Sequence, residues 1–269
     1  MPHASLTANP VTIQIGGIAL ALHNDSPEFL SMLATRYDGF VVPGAQADFD
    51  FEIQLTEPAG RAVEDDVNVS RMDDCWQLTR GDFHAEWNTK TARGMVKQSN
   101  NPYAIDSVLR IVHTLILASR GGFLVHAASA IRHGHAFLFA GISGAGNTTI
   151  SRLAPADTTL LSDEISYVRN HSGSYVGCGT PFAGELARVG ENRSAPIKTL
   201  FFLEKGPTNR IEPVEIAKAV QLLLRNVLFF ANDPELVKML FASACEFVQK
   251  VPVRRLFFVP DARVWEIIG

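Results

Sequence analysis

Three glycines, two threonines and an asparagine carry the first chemical signal in this chain. Residues 136–151 read A-F-L-F-A-G-I-S-G-A-G-N-T-T-I-S. The apolar run 137–140 predicts a short buried strand; the chain then breaks at Gly141, Gly144 and Gly146, and Thr148 and Thr149 open a helix. Phosphate binding asks for this layout. Glycines let backbone N–H groups turn inward on a phosphate, the start of a helix adds partial positive charge, and a threonine hydroxyl ligates a magnesium ion. The pattern G-x-x-x-x-G-K-[ST] fits from Gly141 to Thr148 except at its lysine, where this chain has Asn147. The turn keeps its cradle and lacks its cation.

A nucleoside triphosphate site also needs acidic groups, because magnesium bridging the β- and γ-phosphates takes carboxylate oxygens or waters held by them. Asp163 and Glu164 follow the strand predicted over T-T-L-L at 158–161 and come fifteen and sixteen residues after Thr148. In a parallel α/β sheet both motifs would lie at the carboxyl edge, on neighbouring strand ends. One carboxylate would hold the metal, and the other would accept a proton from an attacking hydroxyl. Without the glycine turn upstream, an Asp-Glu pair after a strand would read as a solvated turn.

Other elements must position these groups. Residues 11–15 and 18–22 predict a hairpin around Gly16 and Gly17, and Ser26-Pro27-Glu28 predicts a capped helix start. The alternating F-D-F-E-I-Q-L of residues 49–55 predicts a strand, with three more at 76–79, 83–87 and 93–97 and a polar loop over 57–74. Asn100-Asn101-Pro102 starts a helix running to Gly121. Strands come next at 123–131 and 136–140, with His133-Gly134-His135 as their turn, then at 158–161, 167–169, 175–178, 200–203 and 257–259. Two helices, 214–229 and 233–248, precede the last strand. This places a small mixed α+β N-terminal module at 1–99, for accessory or recognition work, and an α/β phosphate-loop core at 100–269.

Composition narrows the function classes. With 269 residues and 46% hydrophobic side chains the chain can bury a core, and its net charge of −4 with scattered basic residues argues against a nucleic-acid partner. Cys75, Cys178 and Cys245 are odd in number and lack a C-x-x-C pair, so a reducing, cytoplasmic setting without disulfides or zinc is expected. No stretch approaches eighteen apolar residues, so no membrane partner is expected.

An ordered set of motifs in residues 121–269 resembles the kinases related to HPr kinase/phosphorylase, including those encoded with lasso-peptide clusters. The set comprises F-L-V-H-A-A at 123–128, the glycine turn, L-S-D-E at 161–164, G-T-P-F-A-G-E at 179–185, N-R-S-A-P at 192–196, L-F-F-L at 200–203 and the tail from Val251 to Phe258. The resemblance implies a nucleotide-binding core of the HPr kinase and phosphoenolpyruvate carboxykinase type that uses ATP and Mg2+ to phosphorylate serine or threonine of a protein or peptide. Carried over, Gly141, Ser143, Gly144, Ala145, Gly146, Asn147, Thr148 and Thr149 would cradle the phosphates, with Thr148 on the metal. Asp163 would be the base, Glu164 and Glu185 metal carboxylates, and His126 an active-site polar group, while Arg188 and Arg193 would approach the phosphates or the acceptor. Such kinases can form homo-oligomers, although the apolar stretches here are accounted for by a core.

Asn147 departs from that pattern. A lysine would add a charged hydrogen bond worth about 1.5–3 kcal/mol, and losing a preorganised donor typically costs about 10²–10³ in rate. Three readings result: a slow kinase; a kinase whose cation has moved to Arg188, Arg193 or Lys198; and a pseudokinase that binds nucleotide or peptide without transfer. A small-molecule kinase of the same fold is a further alternative.

Overall fold

Gly16 and Gly17, at φ of 58° and 82°, close the hairpin between β1 (Val11–Ile15) and β2 (Ile18–His23), a backbone state that glycine reaches without steric cost. A computed structural model describes residues 9–57, 66–141, 144–184, 186 and 189–268 of the chain. The chain divides into two compact units, Met1–Val112 with Phe230–Asp233, and His113–Phe229 with Pro234–Gly269.

In the first unit, α1 (Pro27–Arg36) starts at Ser26, whose hydroxyl accepts the Phe29 amide at 3.2 Å. β3 (Phe49–Leu55) buries Phe49, Phe51 and Ile53 and exposes the residues between, as its alternation predicts. β4 (Asn68–Met72), β5 (Cys75–Arg80), β6 (Phe83–Asn88) and β7 (Arg93–Gln98) complete a seven-stranded sheet in the order β1-β2-β3-β7-β6-β5-β4. β4 occupies part of the expected acidic loop. Only Val69 of its five side chains is buried, so the segment carries no alternation to read. Beside the sheet, Asp106 is held by Arg36 and Tyr37 in a buried cluster; that carboxylate raises the Arg36 pKa, and burial raises that of Tyr37. Asp106 belongs to α2 (Pro102–Ser119), within which the division between the units falls.

The second unit is built from β8 (Phe123–Arg132), β9 (His135–Ala140), α3 (Asn147–Arg152), β10 (Thr159–Ser162), β11 (Ile165–His171), β12 (Ser174–Cys178), β13 (Ser194–Lys205), β14 (Arg210–Pro213), α4 (Ile216–Asn226), β15 (Val227–Leu228), α5 (Pro234–Lys250), β16 (Val253–Phe258) and α6 (Val264–Ile268). Nine strands form one sheet. Its pairings correct the parallel arrangement expected from the sequence: only β9, β13 and β16 run parallel, and every other pair is antiparallel. β8, β11, β12, β13 and β9 pair in turn, and β9 returns to β8, so these five close into a ring. Alternate residues of β9 and β13 face opposite ways. Leu138, Ala140, Leu200 and Phe202 pack with α4 and α5, whereas Phe137, Phe139, Phe201 and Leu203 pack with α3 and α6. Trp265 Nε1 donates to the Ile150 carbonyl at 3.2 Å and ties α6 to α3.

The architecture is therefore mixed α/β, with two sheets and six helices among the described residues. None of these helices is long and apolar enough to cross a membrane.

Candidate functional site

β9 ends at Ala140, opposite Ala127 of β8, and the glycine turn leaves from there. Gly141 has to be glycine because a Cβ would lie 2.5 Å from that of Ala145. Gly146 caps α3 at φ 118°, and a Cβ there would lie 2.5 Å from Phe258 Cζ. The turn is thus pressed against β16 and tolerates no side chain at either point. Asn147 is the first residue of α3, and its Oδ1 is buried with no hydrogen-bond partner among the described residues. Ser143 lies outside the described residues.

On the other side of β8, β10 and β11 run as one antiparallel line broken at residues 161–164. Ser162 Oγ accepts the amides of Glu164 and Ile165 at 3.2 and 2.9 Å, and the Glu164 carbonyl accepts the Ala127 amide at 2.9 Å. The acidic pair therefore sits at an irregularity directly after Ser162, the last residue of β10, the strand end its sequence position suggests, before the line resumes as β11. His126-Ala127 lies between this irregularity and Gly141, so three remote pieces of sequence meet across three neighbouring strands. At about 4.8 Å per strand they span roughly 10 Å.

The two carboxylates differ in surroundings. Asp163 is 3% exposed, and its two oxygens accept the amides of Gly184 and Leu186, both at 2.9 Å. A base must meet the acceptor hydroxyl, and Asp163 is sealed and engaged on both oxygens, so its position suits a brace for the chain at Gly184 and Leu186. Glu164 is half-buried, and its carboxylate has no hydrogen-bond or ion-pair partner among the described residues. Gly184 lets that part of the chain approach, since a Cβ would come within 2.7 Å of Glu164 Cβ. Glu185 and Arg188 lie outside the described residues.

A cavity of about 790 Å³ opens beside the glycine turn, lined by His126, Gly141, Gly144 and Ala145 and by residues of β13 and α4. That volume is typical of a small-molecule site. Gly146, Asn147, Thr148, Thr149, Asp163 and Glu164 neighbour this lining in sequence or across β8 without forming it. Two of the candidate cations are elsewhere. Arg193 donates to Thr159 Oγ1 at 3.1 Å, at the far end of β10 from Asp163. Lys198 lies over the Phe137 ring at 5.6 Å, about 13 Å before Gly141 along β9 at roughly 3.3 Å per residue. The lining residues that the sequence reading missed are Glu204 and Lys205 at the end of β13 and Arg225 and Asn226 at the end of α4. No local motif marks them. Glu204 pairs with Arg255 at 2.8 Å, whereas Lys205 and Arg225 make no ion pair or hydrogen bond among the described residues.

Magnesium can be tested against this donor set. Among the described residues no group of three or more His, Cys, Asp or Glu is placed to hold a metal. Mg2+ bound with a nucleotide needs only one or two protein oxygens, the rest coming from phosphate and water. Glu164 carries a carboxylate and Thr148 a hydroxyl, oxygen donors of the kind such an ion takes.

Comparison with curated proteins gives no match. Among solved structures, the Hpr(Ser) kinase/phosphatase from Coxiella burnetii aligns with 14% identity over 45% of this chain and 87% of that chain, at a TM-score of 0.25, too low to establish a shared fold. The family described as SynChlorMet cassette protein ScmC matches residues 95–269, more than half of the sequence and all of the second unit. The chain belongs to the ScmC family of SynChlorMet cassette proteins.

Proposed function

We propose that this protein is an ATP-dependent phosphotransferase of the HPr kinase-like type, acting on serine or threonine of a protein or peptide. The observation that supports it is the meeting of the glycine turn, His126 and the acidic pair across three adjacent strands, beside a cavity of about 790 Å³. In this reading the backbone amides of Gly141, Gly144, Ala145 and Gly146 hold the β- and γ-phosphates, and Thr148 and Glu164 offer oxygens to Mg2+, which neutralises phosphate charge when bound.

The acceptor hydroxyl oxygen forms a bond to the γ-phosphorus as the bond to the β–γ bridging oxygen breaks, and ADP leaves. Glu164, the carboxylate with free oxygens, also takes the hydroxyl proton, while Asp163 holds Gly184 and Leu186 in place. His126 lines the cavity and serves as a hydrogen-bonding group to the reacting phosphate. This moves the base from Asp163, where the family resemblance puts it, to its neighbour.

The test is phosphoryl transfer to a serine- and threonine-containing peptide library, read by mass spectrometry. Glu164→Gln is expected to lower transfer by at least about 10²-fold, in the range of general-base contributions, and, because Glu164 also offers an oxygen to Mg2+, to weaken magnesium-dependent ATP binding while leaving metal-free ATP binding unchanged. Equal transfer by the two proteins would refute the assignment. A second reading, a nucleotide-binding module without transfer, is favoured by Asn147 alone; ATP binding with no phosphorylated product would support it.

A further inference from the structure

We infer that Lys205, assisted by Arg225, supplies the phosphate-binding cation that Asn147 cannot; this rests on the nucleotide reading above. Lys205 is the last residue of β13, the strand parallel to β9, with Phe202 in register with Ala140. β13 therefore continues past the point where β9 breaks into the glycine turn. Side chains two apart on a strand share a face, so Lys205 follows Phe201 and Leu203, which pack with Ala145 and Ile150. Its register partner on β16 is Phe258, and Phe258 is the residue whose ring lies against Gly146. The lysine thus stands on the face of the sheet that carries the turn, one strand away from it.

Charge on the cavity wall points the same way. Lys205 and Arg225 line the cavity and are exposed and unpaired among the described residues, whereas the nearby carboxylate of Glu204 is paired with Arg255. The surplus is positive and unneutralised, beside a turn whose lysine position holds the neutral amide of Asn147. Arg225 reaches the same cavity from the last turn of α4, whose Ala219 and Leu223 pack on the opposite face. A lysine on the neighbouring strand can take over the charge of a missing turn lysine because a phosphate responds to a cation's position, not to the element that bears it.

The experiment is calorimetry of the full chain with ATP, ADP and adenosine in the presence of magnesium. The proteins are the unaltered chain, Lys205→Ala, Lys205→Arg, Arg225→Ala and Lys205→Ala combined with Asn147→Lys. Lys205→Ala is expected to weaken ATP roughly ten- to a hundredfold, the value of one charged hydrogen bond. It should leave adenosine affinity and thermal stability unchanged, because Lys205 is exposed and makes no contact that folding needs. Lys205→Arg should retain most of the affinity, and Asn147→Lys should restore it in the alanine background, a rescue that a merely structural role for Lys205 would not produce. ATP binding by Lys205→Ala within twofold of the unaltered protein would overturn the inference and leave the nucleotide reading standing, as would a loss confined to Arg225→Ala. Failure of the unaltered protein to bind ATP would overturn both.

Discussion

Gly146→Ala is the substitution that the geometry of the turn penalises most directly. At φ 118° a Cβ is in an unfavourable backbone region, which costs an L-residue about 1–2 kcal/mol. The same Cβ would lie 2.5 Å from Phe258 Cζ and 3.1 Å from Cε1, and forcing extra volume into a packed site costs about 1–3 kcal/mol. The two effects act together, so the variant should be less stable by about 2–5 kcal/mol. Urea unfolding separates them in a double-mutant cycle. Phe258→Leu removes the ring edge that the new methyl meets, so Gly146→Ala in that background should cost only the backbone part, about 1–2 kcal/mol. An equal cost in both backgrounds would refute the contact, and a cost below about 0.5 kcal/mol in the parent, the size of a neutral surface change, would refute the strain as well.

Two further outcomes are expected. Asp163→Asn keeps one acceptor but turns an NH2 group toward a buried amide, so it should destabilise the protein by about 1–3 kcal/mol and speed hydrogen exchange at the Gly184 and Leu186 amides; unchanged exchange there would contradict the bracing role. His113 is fully buried against Tyr167, with ring nitrogen and hydroxyl 3.3 Å apart, and burial foremost, then the charge of Arg120, lowers its pKa from 6.5 to about 3. Between those values the unfolded chain binds the proton that the folded one refuses, so its contribution is fully present above pH 6.5 and is lost as pH falls toward 3, at up to about 1.4 kcal/mol per pH unit. His113→Gln should flatten that part of the stability profile measured by urea unfolding, and an unchanged slope would refute the assignment.

Local pattern made some of this structure legible and left the rest hidden. The hairpin at Gly16-Gly17, the cap at Ser26 and the alternation of residues 49–55 were readable because each is fixed by neighbours in sequence. The turn at His133-Gly134 was readable for the same reason, and both residues take positive φ, 49° and 77°. The site was half legible. Glycines at 141, 144 and 146 announced a turn, but the sheet's antiparallel pairing around β8 was not encoded in any local period. Asp163 and Glu164 read as a strand end, which they are for β10, but the chain's return to β8 as β11 carries no local signal. The strand from Ser194 to Lys205 has a legible apolar run only over residues 200–203, with Pro196 interrupting the pattern before it and the polar Glu204 and Lys205 ending it. α4 stops at Asn226 where apolar spacing continued to 229, and the next two residues pair with β8 instead, leaving Arg225 and Asn226 at the cavity.

Everything proposed for the site depends on the cavity beside the glycine turn taking a nucleoside triphosphate. The most direct measurement is calorimetric titration of the unaltered chain with ATP, with and without magnesium. Saturable binding of one ATP per chain is expected, tightened by magnesium and weaker for adenosine, whose missing phosphates leave the turn and its cations unused. No heat with ATP up to millimolar concentration, in either the unaltered protein or Asn147→Lys, would contradict it.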